Sequence, residues 1–187
     1  VSAAKIIKLI PLEFEDICFT AGADKLVILS RDQSVIQRYS LNTFEKELSR
    51  PIALKGEGSQ LVMGSASNGP VLFFSGNESY AEKSFLDLGT LEKSRVDLPG
   101  GEIHVLSGNR IIHVSPDGKV FGICVGGIAP SRLKTIRING NQIETAHRYD
   151  TNGVVVPGKE GSRLFNGSGI YLPSLRQIAG EVCVNSG

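Results

Sequence analysis

YSLNTFEKELSRPI at Tyr39–Ile52 and FLDLGTLEKSRVDL at Phe85–Leu98 are two versions of one phrase. Each runs from an apolar segment through a short polar turn ending in Thr, then into Glu, Lys and a polar stretch. The first copy invites a helix, because its Thr and Glu resemble a capping signal. The second, at Gly89–Val96, is too short to bury a helical face, so both copies read as hairpins whose outgoing strand faces solvent.

Working outward, glycine-centred turns recur at AGADK, SNGP, SPDGK and GKEGS, with glycines at Gly22, Gly69, Gly118 and Gly161 and intervals of 47, 49 and 43 residues. A second landmark keeps register with the first three: Thr43, Thr90 and Gly140 follow at 21, 21 and 22 residues. Between landmarks lie short runs rich in β-branched and aromatic residues, such as KLVILS, SVIQRYSL, PVLFFSG, KSFLDL, KVFGICVGG and LKTIRI. Bounded by Gly, Asn, Asp and Pro, they read as strands.

A unit of about 45 residues holding about four antiparallel strands matches the blade of a β-propeller. The expected blades are 12–55, 57–99, 102–150 and 151–180 within a single segment covering 1–187. Residues 1–11 and 181–187 are read as strands of incomplete neighbouring blades, KIIKLIPL as an outer strand and GEVCVNSG as an innermost one. A β-sandwich satisfies the same short strands and regular turns and is the alternative fold.

With SPDGK between two apolar runs and LDLGTLEK before a polar strand, the chain resembles WD-repeat-like and YVTN-type bacterial β-propellers over roughly residues 12–178. The Trp-Asp and Gly-His signatures of the strict WD repeat are absent, and the chain has no Trp. The resemblance implies a repeat scaffold.

Composition narrows the partners. Twenty basic and nineteen acidic side chains give a net charge of +1, without the basic excess of a non-specific nucleic-acid binder. The longest charge-free stretch, Gln60–Asn77, is interrupted by Gly and Pro, so no membrane insertion is expected. No signal peptide is visible at VSAAKIIKLI. The chain begins without Met, so a preceding targeting segment is left open, with a cytoplasmic location favoured.

No chemical constellation emerges. Cys18, Cys124 and Cys183 form no CxxC pair and read as buried thiols. His104, His113 and His147 lack metal-ligand spacing. GEGS and GSGI lack the spacing of a phosphate loop, and no GxSxG elbow is present. Asp117–Gly118 reads as a turn rather than a calcium loop, since Lys119 opposes a cation. The glycosylation patterns at Asn77 and Asn166 read as coincidental. No catalytic, cofactor or metal residue is assigned, and the expected function is a non-enzymatic interaction or scaffold module. A fragment of a propeller enzyme with its catalytic residues in other blades is the alternative.

What remains is loop surface. In a propeller the loops joining second and third strands emerge at one end, here SRDQS, SGNESYAEK and GGIAPSR. Arg31, Tyr80 and Arg132 belong to residue types enriched at interface hot spots and are the candidate partner-binding residues. A protein partner is expected, together with self-association through open propeller ends.

Overall fold

The computed structural model describes residues 8–55, 58–76, 82–94, 110–125, 132–149 and 153–180. Their regular structure is all β, in four antiparallel sheets whose strands follow chain order. Sheet 1 comprises β1 (Ile17–Ala21), β2 (Lys25–Ser30), β3 (Val35–Ser40) and β4 (Lys46–Pro51). Sheet 2 comprises β5 (Gln60–Val62), β6 (Val71–Ser75) and β7 (Glu82–Leu86), and a bridge from Leu86 to Lys93 marks where the chain turns back along β7. Sheet 3 comprises β8 (Arg110–Val114), β9 (Val120–Val125), β10 (Arg132–Asn139) and β11 (Gln142–Tyr149), and sheet 4 comprises β12 (Val156–Pro157), β13 (Leu164–Asn166), β14 (Gly169–Tyr171) and β15 (Gln177–Ala179).

Side-chain parity explains the packing. A strand sends alternate residues to opposite faces, so a strand buried on both faces is a nearly continuous apolar run. All five residues of β6 are buried. Val71 and Phe73 join Val27, Leu29 and Ile36 at the seam with sheet 1. Leu72 and Phe74 join Phe85, Phe121, Ile123 and Ile136 at the seam with sheet 3, where the Phe85 and Phe121 rings lie 5.7 Å apart. Val120 and Leu133 of sheet 3 meet Val155, Leu164, Tyr171 and Leu175 of sheet 4. Among the described residues, no buried cluster bridges sheets 4 and 1.

Backbone ties pin these seams. The Ala23 amide donates to the Ser67 carbonyl at 2.9 Å and the Ala66 amide to the Pro116 carbonyl at 2.8 Å, joining the first turns of three successive sheets. This approach requires glycine. A Cβ on Gly64 would stand 2.4 Å from the Gly118 nitrogen, and Gly118, at φ +74, would press a Cβ to 2.5 Å from Ser67 Oγ. Elsewhere the Arg38 guanidinium donates to the Leu88 and Gly89 carbonyls, each at 2.5 Å, and Thr135 Oγ1 donates to the Pro173 carbonyl at 2.6 Å.

The duplicated phrase folds as one turn made twice. Phe44 donates its amide to the Ser40 carbonyl and Leu91 to that of Asp87. Both donors sit in the left-handed region, at φ 60 and φ 57, which costs a non-glycine residue about 1–2 kcal/mol. Side chains offset that cost. Ser40 Oγ accepts the amides of Asn42 and Thr43 at 3.1 and 3.2 Å, and Asp87 Oδ1 accepts that of Thr90 at 2.7 Å. Leu91 is buried at the seam between sheets 1 and 2.

The described part of the leading segment, residues 8–14, forms no strand. It passes beside the outer half of sheet 1, where Gln33 Nε2 donates to the Glu13 carbonyl at 3.2 Å, and with β3 and β4 it encloses a cavity of about 360 Å³. Beyond Gly180, GEVCVNSG lies outside the described residues.

Candidate interaction face

In sheets 1 to 3 the second strand ends close to where the next sheet begins: Arg31 donates to the Ser59 carbonyl, Arg110 to that of Gly76, and Cys124 Sγ to that of Gly153. Arg31 lies in the loop between β2 and β3. Its Nε donates to the Ser59 carbonyl at 2.9 Å, and its Nη1 pairs with Asp16. It therefore ties sheet 1 to the approach of sheet 2 while still bordering the surface. Tyr80 lies outside the described residues. Arg132 opens β10, opposite Val125 and Tyr149.

The same end holds three cations that sequence reading did not single out. Arg110, the first residue of β8, is buried at 7% exposure. Its guanidinium lies 5.2 Å from the centre of the Phe74 ring and donates to the Gly76 and Gly58 carbonyls. Lys83, opposite Phe74 in the ladder, has its pKa lowered to about 7, first by burial and then by the charges of Lys134 and Arg110. Burial also lowers the pKa of Lys134 and of Arg110. Glu82, next along β7, pairs with Lys55 and Lys93.

The signal that would have found the lysines is parity. Lys83 alternates with Phe85, and Lys134 with Ile136 and Ile138, so both side chains belong to the face that packs between sheets 2 and 3. Next to this seam, Cys18, Arg31, Gln60, Leu61, Arg110 and Ile111 help line a depression of about 400 Å³ along the innermost strands.

The other singled-out residues take structural parts. Asp117 Oδ1 accepts the Ser115 hydroxyl at 2.5 Å within the β8–β9 turn. Asn166 Oδ1 accepts from the Ser168 amide and hydroxyl and from the Gly169 amide in the β13–β14 turn. Cys124 is buried and Cys18 partly so, and burial pushes both thiols up in pKa. His113 stands on β8 and His147 on β11. Cys183, His104 and Asn77 lie outside the described residues. No group of three or more metal-ligating side chains occurs among the described residues.

Most of the chain superposes on solved structures, a WD40 domain among them. The WD40 domain of Toxoplasma gondii coronin matches at a TM-score of 0.53 and 12% identity, covering 73% of this chain and 35% of that one. The chain is a β-propeller segment. KlAtg21, solved in complex with the coiled coil of AgAtg16, matches at a TM-score of 0.57 and 12% identity, over 90% of this chain and 55% of that one. The propeller segment thus spans about half the length of one and about a third of the other. At such identities the likeness is one of fold, in line with the resemblance carried by SPDGK and LDLGTLEK. No protein-family model matches the sequence. No curated protein sequence matches it.

Proposed function

We propose that this propeller segment is a non-enzymatic interaction module that binds an acidic segment of a protein partner at the end carrying the second-to-third strand loops. The observation that carries this reading is the convergence of Lys83, Arg110 and Lys134 there. Gathering like charges on a half-buried seam raises the free energy of their charged forms, and a carboxylate docking on them recovers part of that cost. Arg31, which lines the depression beside Arg110, is proposed as a loop anchor for the same partner, with Tyr80 and Arg132 the further anchors expected from the sequence. The coiled-coil complex of KlAtg21 provides a parallel in which a structurally similar chain engages a protein segment.

Selection from a peptide display library tests the reading. Acidic sequences are expected to enrich, and their affinity should fall about tenfold or more, or about 1.4 kcal/mol, in an Arg132→Ala/Lys134→Ala variant. Charge-neutral binders indifferent to those substitutions would overturn it.

A further inference from the structure

Lys83 of β7 meets cations from two further strands. It lies opposite Phe74 in the ladder of β6 and β7, and the Arg110 guanidinium of β8 stands 5.2 Å from the centre of that same ring. Lys134 of β10 lies across from Ile123 of β9 on one side and from His147 of β11 on the other. Alternation sends Lys83 with Phe85, and Lys134 with Ile136, to the seam between sheets 2 and 3. Among the described residues, the charged and titratable groups that these strands bring to that seam are Lys83, Arg110, Lys134 and His147. Glu82, one residue away, belongs to the other face of β7, where it pairs with Lys55 and Lys93.

We infer that Lys83 is a site of reversible modification by carbon dioxide, which converts its amine to a carbamate held between Arg110 and Lys134. The chemistry needs a neutral amine, a small electrophile and a place for new negative charge. Burial and two neighbouring cations disfavour the ammonium form and hold the pKa of Lys83 at about 7. About half of it is then neutral at pH 7, against about one molecule in 2,500 for an ordinary lysine. The Nζ lone pair bonds to the carbon of CO2, one C=O π pair moves onto oxygen, and Nζ passes a proton to water; no oxidant or reductant takes part. Phe74, Phe85 and Phe121, each 1% exposed or less, fill the seam on which Lys83 lies, so a triatomic electrophile fits where a larger carbonyl compound would meet packed rings. An anion formed there relieves the repulsion among the three cations. It also sets a carboxylate where the proposed partner would place its own, so the two compete. That consequence rests on the proposed function, whereas the carbamate does not.

Chemical trapping tests the site without any peptide, so its result is separate from the fate of the proposed partner. The chain is equilibrated with bicarbonate and dissolved carbon dioxide at about pH 7, treated with triethyloxonium ion, which esterifies a carbamate, and mapped by mass spectrometry. Lys83 is expected to carry about tenfold or more ethyl carbamate than the exposed Lys55, Lys119 and Lys159. The preference should vanish in denaturant, where the seam is gone. Lys134→Met should cut the yield at Lys83 about threefold or more, because that cation both discourages the ammonium and holds the product. Lys134→Arg, which keeps the charge, should retain the yield and so separates loss of the cation from loss of the fold. No carbamate at Lys83, a yield no higher than at the exposed lysines, or a yield indifferent to Lys134→Met would overturn the assignment.

Discussion

Lys83 carries the most informative charge of the chain. Its folded pKa of about 7 lies below the ordinary lysine value of 10.5. The folded state therefore disfavours the proton that the unfolded chain keeps between those values. Below pH 7 lysine is charged in both states and the penalty is full; as pH rises from about 7 toward 10, folding sheds the proton and stability contributed at this site increases. Lys83→Met should remove that rise while preserving the apolar stem. Thermal melts of both proteins between pH 6 and 9 check this, and parallel curves would show that burial of the charge is not the cause. The same sign applies to binding. An acidic ligand favours the charged amine, so its affinity should weaken as pH climbs above 7.

At the scale of elements, the repeated phrase carries the fold because its turn chemistry is local. Ser40 and Asp87 hold their turns through side-chain oxygens, while Phe44 and Leu91 take the left-handed position. Removing the hydroxyl in Ser40→Ala leaves two amides without this acceptor, and a loss of about 1 kcal/mol is expected, lowering Tm by about 2–4 °C for a domain of this size. An unchanged Tm would show that solvent replaces the hydroxyl. These turns were legible in the sequence because each is encoded by six contiguous residues. Strand parity was equally legible in VLFFS, where Val71–Phe74 are all apolar because both faces are buried and the buried Ser75 hydroxyl accepts the Lys55 amide. The cation cluster was harder to see. Lys83, Arg110 and Lys134 come from β7, β8 and β10, and nothing local to any one strand announces the other two. Arg31 shows the converse difficulty: its residue type marks an anchor, yet its tie to Ser59 depends on how two sheets meet.

At the scale of the molecule, the sheets form an arc joined by three apolar seams, with glycine turns nested at one end and cations gathered at the other. The two ends differ in kind. Nested turns such as Gly64 against Gly118 leave no room for a side chain, whereas the opposite end holds Lys83, Arg110 and Lys134. The proposed function accordingly falls at the end that carries the cations. Hydrogen exchange of the chain, alone and with a saturating acidic peptide from the display selection, tests that assignment most directly. Slowed exchange is expected at the starts of β7, β8 and β10, around Lys83, Arg110 and Lys134, with the turns at Gly22, Gly64 and Gly118 unchanged. Slowed exchange confined to those glycine turns would place the partner at the wrong end of the propeller and contradict the account.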